Sequence, residues 1–120
     1  MIEVLTDLPE NVLGFEAKGE VTGDDYEQVL IPAVEKHLQT SEKIRLLYVL
    51  GEDFEDYSAA AMWDDTRLGM SHLTAWERIA VVTDHSTYGH MVRVFGFMIP
   101  AEVKAFSVEE LEAARGWVSE

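Results

Sequence analysis

The chain has 120 residues, 48% hydrophobic and 10% aromatic, enough to bury one core and too few to build two. Nine basic against 23 acidic residues leave a net charge of −14, and no Lys/Arg cluster offers to neutralise phosphates, so nucleic acid is not an expected partner. The absence of cysteine removes disulfides, thiol nucleophiles and zinc–thiolate sites together, and no apolar run approaches the roughly 18 residues of a membrane span.

The opening Met1-Ile2-Glu3-Val4-Leu5-Thr6-Asp7 lacks the basic flank and apolar stretch of a signal peptide, so a cytoplasmic protein is expected. Ile2 to Leu5 and Val12 to Lys18 read as strands around the turn-rich joint Asp7-Leu8-Pro9-Glu10-Asn11, a hairpin whose second strand Gly19 closes. Thr22 then sets up a helix, with Asp24 and Asp25 in the first turn, where carboxylates favour the helix dipole. Along it Tyr26, Val29, Leu30, Ala33, Val34, His37 and Leu38 recur at the three-and-four spacing of a buried face. Pro32 interrupts that pattern by removing one backbone donor, and is expected to bend the helix outward.

Lys43 to Leu50, bounded by Gly51, and Glu77 to Thr83 are compact apolar runs of the kind found in strands covered on both faces. Between them Ser58 to Leu73 fits a helix capped by Ser58, reached through a long connection from Gly51 to Tyr57. A third helix spans about Ser86 to Ile99, a strand Glu102 to Phe106, and a terminal helix Val108 to Trp117. Strand and helix alternating after an initial hairpin imply an α/β fold: one domain over residues 1–120, with a five-stranded mixed sheet, a hairpin followed by parallel strands, and about four helices.

The residues of known chemistries do not assemble. Two metal ligands on one helix face need a three- or four-residue spacing, yet His72 is followed four residues later by Trp76, His85 by Gly89 and His90 by Val94. Asp64 and Asp65 are adjacent and point apart on a helix. Asp84, His85 and His90 are the one spatial alternative. Ser58, Ser71, Ser86 and Ser107 stand at helix ends or in loops, where capping is the ordinary role, and none lies in a Gly-x-Ser-x-Gly elbow. There is no phosphate-binding glycine motif, and with 23 acids any carboxylate pair can be proposed. No catalytic residue, metal or cofactor is expected, and the chain reads as a non-enzyme.

One stretch stands out. From His85 to Ala101 there is no Asp or Glu, and the third helix carries Tyr88, Met91, Val92, Val94, Phe95, Phe97, Met98 and Ile99 around nearly its whole circumference. A helix apolar on all sides has to cover its second face: with neighbouring helices, a second copy, a protein partner or a ligand. A ligand pocket between the second and third helices would be lined by Met62, Trp63, Met91, Val92, Phe95 and Met98, with Tyr57 and Tyr88 as polar handles. Gly89 and Gly96 bracket the helix core and would weaken it, as in an element that moves.

Several segments carry a family resemblance. Gly19-Glu20-Val21-Thr22-Gly23-Asp24-Asp25-Tyr26, Val29-Leu30-Ile31-Pro32-Ala33, Arg45-Leu46-Leu47-Tyr48-Val49, Trp63-Asp64-Asp65, Glu77-Arg78-Ile79-Ala80-Val81-Val82 and Val103-Lys104-Ala105-Phe106 follow in order. Together they resemble the SpoIIAA-like STAS proteins over essentially the whole chain. The resemblance implies the five-stranded sheet with four helices, related to anti-sigma-factor antagonists and to CRAL-TRIO lipid carriers. It also implies an apolar or lipid-like ligand, with the third helix as a movable gate, and association with membranes, which the net charge of −14 is expected to keep weak. The antagonists place a phosphorylatable Ser or Thr at the start of the second helix, where Ser58 stands here; as a phosphosite it would face repulsion from Glu55 and Asp56, and as a helix cap it would not. Two readings result: a non-enzymatic binding module for an apolar small molecule or lipid, and a protein-interaction or regulatory module that docks a partner or second copy through residues 86–99.

Overall fold

The computed structural model describes residues 1–58, 60, 67, 75–84 and 101–120. Strand β1 (Ile2–Leu5) lies antiparallel to strand β2 (Val12–Val21), in register from Ile2 opposite Ala17 to Leu5 opposite Gly14. The turn between them closes with the Val12 N–H on the Pro9 carbonyl at 3.0 Å. Strand β3 (Ile44–Tyr57) joins β2 in parallel, followed by β4 (Trp76–Thr83) and β5 (Glu102–Phe106), so the sheet order is β1-β2-β3-β4-β5. The expected hairpin and parallel continuation are both present.

Two boundaries differ from the sequence reading. Gly19 does not end β2: its positive φ of 60° bends the strand at a bulge, and pairing resumes to Val21. Residues 51–57 are not a connection but the second half of β3. Ala17 pairs with Leu50 and Gly19 with Phe54, so β3 carries the extra residues of the irregularity, and buried Phe54 anchors its far end.

The first helical run has three parts, α1 (Gly23–Asp25), a π-helical turn (Tyr26–Leu30) and α2 (Ile31–Leu38). Thr22 starts it with a reciprocal cap: its hydroxyl accepts from the Asp25 N–H at 3.3 Å, while the Asp25 carboxylate accepts from the Thr22 N–H at 2.9 Å. Pro32 is accommodated by the widened turn. The Ile31 N–H reaches back to the Tyr26 carbonyl, and Pro32, which has no N–H, falls in the first turn of α2. Tyr26, Leu30 and Val34 are thereby kept on one buried face.

After β5 a 3₁₀ turn (Val108–Glu110) leads into α3 (Leu111–Ser119), again through a reciprocal cap, between Ser107 and Glu110. Of the four expected helices these two helical runs lie within the described residues. The expected helices at 58–73 and 86–99 lie outside them, apart from Ser58 and from Ala60 and Arg67, which have helical geometry.

Alternation along the strands builds one core on each face. Phe15, Ala17, Leu46, Tyr48, Leu50 and Trp76 face the α1–α2 run, whereas Leu47, Val49, Ala80, Val82 and Phe106 face Ala114 and Val118 of α3. This explains the unbroken apolar run of β3, whose odd and even residues serve different cores. The carbonyl end of α3 is tied to the sheet by Arg45, which donates to the Val118 carbonyl at 3.1 Å, and by Arg78, which donates to the Trp117 carbonyl at 2.7 Å and lies 5.1 Å from its ring centre.

Candidate functional site

The two ends of the sheet are covered unequally on the α1–α2 face. At the β2–β3 end Phe15, Ala17, Tyr48 and Leu50 are buried. At the β4–β5 end Ile79 pairs with Val103 and Val81 with Ala105, which sets four apolar side chains in two rows on one face. All four are only half-buried. Ile79 and Val81 rest against the edge of the first core, while Val103 and Ala105 join neither core among the described residues. This is an apolar floor, and the chain from 85 to 100 that links β4 to β5 is the acid-free stretch.

The carboxyl ends of the parallel strands are the usual place for ligands in an open α/β sheet. Here they carry Thr22, Ser58, Asp84 and Ser107, one after each strand from β2 to β5. Each is already engaged in holding the backbone. The Ser58 N–H donates to the Val21 carbonyl at 2.8 Å, and Asp84 accepts from the Val108 N–H at 3.0 Å. Burial pushes the Asp25 carboxyl up, but the Thr22 N–H and hydroxyl and the N-terminal ammonium 3.1 Å away outweigh it and hold it below its ordinary value. Hydrogen bonds from the backbone N–H and the hydroxyl of Ser107 lower the Glu110 carboxyl likewise.

On the opposite face, a cleft of about 400 Å³ opens between the β1–β3 end of the sheet and α3. Leu47 and Val49 form its floor beside Gly51, and Leu111 its helix wall. Glu16 faces it from β2. Among the described residues no group of three His, Asp or Glu side chains could hold a metal ion, and no helix is long and apolar enough to cross a membrane.

Residues 12–119 match the SpoIIAA-like family. The chain belongs to that family. A solved relative, an uncharacterised protein with a SpoIIAA-like fold from Shewanella loihica, is 28% identical and superposes with a TM-score of 0.80 over 98% of this chain and 93% of its own. No curated protein matches.

Within this SpoIIAA-like domain, Ser58 is the first residue after β3, two residues before helical Ala60, and is partly buried. The other sequence-derived site residues, Met62, Trp63, Tyr88, Met91, Val92, Phe95 and Met98, lie outside the described residues. Two features escaped the sequence reading. The floor of Ile79, Val81, Val103 and Ala105 was hidden inside apolar strands, where nothing local says which residues end up half-covered. Glu16 left a fainter signal, a charge between the buried Phe15 and Ala17.

Proposed function

We propose that this SpoIIAA-like protein is a non-enzymatic binding module for an apolar or lipid-like small ligand. The half-covered floor of Ile79, Val81, Val103 and Ala105 carries the reading. In this proposal residues 1–120 act as one cytoplasmic domain, and the second and third of its four helices supply the walls through Met62, Trp63, Tyr88, Met91, Val92, Phe95 and Met98. Desolvating apolar surface contributes roughly 25 cal/mol per Å², so an acyl chain can be held without a charged contact. Membrane association through residues 86–99 is at most weak, because a net charge of −14 opposes approach to anionic lipid.

The test is native mass spectrometry of the purified protein, followed by organic extraction. A fatty acid, phospholipid or other apolar molecule is expected at near-stoichiometric level, and Met91→Asp or Phe95→Asp should release it. A ligand-free protein that runs as a dimer, and becomes monomeric with the same substitutions, would replace this reading with the second one. In that reading the domain docks a partner or another copy of itself through residues 86–99, with Ser58 as a phosphorylation switch. It is favoured by the position of Ser58, directly after β3 and two residues before helical Ala60.

A further inference from the structure

We propose that the cleft beneath α3 is a separate binding site for a small organic cation with an apolar body, and that Glu16 is its counter-ion. It lies on the opposite sheet face from the apolar floor, so it stands or falls independently of the ligand proposed there.

The argument begins with the charges around the cleft. Two acids, Asp7 and Glu16, line it together with one cation, Arg115, and beside Glu16 in the β1–β2 ladder stand Glu3 and Lys18. Lys18 reaches Glu3 at 3.1 Å. Arg115 is held by Asp7 through both groups it offers, donating to the side-chain carboxylate at 3.1 Å and to the backbone carbonyl at 3.0 Å. Glu16 is left over, with no hydrogen bond or ion pair among the described residues. Its direct neighbour across the β1–β2 ladder is Glu3, a like charge, which adds to the deficit of positive potential.

Glu16 is also half-buried, on a face whose next positions along its row of the sheet are apolar: Val49, Val82 and Phe106. A partly desolvated carboxylate beside aliphatic side chains is costly unless a cation meets it. Space for one is present. Gly51 stands beside the carboxylate, close enough that an added Cβ would lie 3.3 Å from Glu16 Oε2. The volume of about 400 Å³ falls within the range of small-molecule sites, roughly 300–1,000 Å³. An ammonium against Glu16 with its hydrocarbon body over Leu47, Val49 and Leu111 satisfies both halves of the site. A carboxylate ligand does not, because Arg115, the one cation that lines the cleft among the described residues, is already paired.

The experiment is a titration of the ¹⁵N-labelled full chain, followed by amide chemical shifts, with hexylammonium and with hexanoate as the charge-reversed control. Hexylammonium should move the Glu16, Val49, Gly51 and Leu111 amides saturably, and hexanoate should not. Glu16→Gln keeps the shape and removes the charge; it should weaken hexylammonium about three- to tenfold, the range for a partly exposed charged contact. Gly51→Ala should weaken it too, by crowding the carboxylate. Unchanged spectra elsewhere show that both variants are folded. Absence of saturable shifts, equal affinity in Glu16→Gln or Gly51→Ala, or hexanoate binding as tightly would each overturn the proposal.

Discussion

The β2–β3 and β4–β5 ends of the sheet are built from similar residues and finish in different states. Both are rich in aliphatic residues and both pair in parallel. At the first end Phe15, Ala17, Ile44 and Leu47 have no measurable exposure, closed off by Tyr26, Leu30 and Val34 on one side and by α3 on the other. At the second, Ala80 and Val82 are buried under α3, but Ile79, Val81, Val103 and Ala105 on the reverse are only half-covered. The lesson is that strand composition decides which elements form, while coverage decides which are spent on stability and which remain available for binding. A domain with a stability of about 5–15 kcal/mol can leave one end open only if the other end is well packed.

The largest expected effect is therefore at the closed end. Phe15→Ala should cost about 3–5 kcal/mol in denaturant unfolding, because its ring is wholly buried and packs against Tyr48 at a centroid distance of 6.4 Å. A loss below about 1 kcal/mol would mean that the β2–β3 end is not the packed half of the molecule.

A smaller effect is expected at the helix cap that closes that end. Asp25→Asn should cost about 1 kcal/mol at neutral pH, since Asp25 both caps Thr22 and meets the N-terminal ammonium. Its carboxyl is held below the ordinary value of 3.8, so the ionised form is the one the fold favours. The contribution is then fully present above that value and is lost as pH falls through the lower folded-state value. The difference between wild type and Asp25→Asn should stay constant from pH 7 to pH 5 and shrink below pH 4. A gap that widened on acidification would reverse the sign and refute the role given to the carboxylate.

Much of this architecture was legible in the sequence because local signals agreed with the final fold. The turn-rich joint from Asp7 to Asn11 marked the β1–β2 hairpin, continuous apolar runs marked β3 and β4, and Thr22 with Asp24 and Asp25 marked the helix start. The second half of β3 was not legible. Gly51 looks like a stop, and Glu52, Asp53, Glu55 and Asp56 look like a solvated loop, yet pairing with Gly19, Glu20 and Val21 extends the strand around Phe54. The sites were harder for the same reason, since they depend on distant choices. Among the described residues Glu16 is left without a counter-ion because Lys18 takes Glu3 and Arg115 takes Asp7, a residue 108 positions away. That all four residues of the β4–β5 floor stay half-covered depends on what is packed against them from elsewhere in the chain, and that is not written in the strands themselves.

The smallest stability effect is expected on that floor, and it is the most discriminating. Val103→Thr preserves shape and β-branching while placing a hydroxyl among Ile79, Val81 and Ala105. Because Val103 is half-buried and joins neither core among the described residues, unfolding should change by no more than about 0.5 kcal/mol. A ligand seated on the floor, however, would have to desolvate the hydroxyl without offering it a partner, so the co-purifying molecule should fall well below its wild-type level. Stability and occupancy then separate: little change in the first with a clear loss in the second assigns the β4–β5 end to binding. If Val103→Thr instead cost about as much as a core substitution and left occupancy intact, the open end would be a second packed core and the contrast between the two ends would disappear.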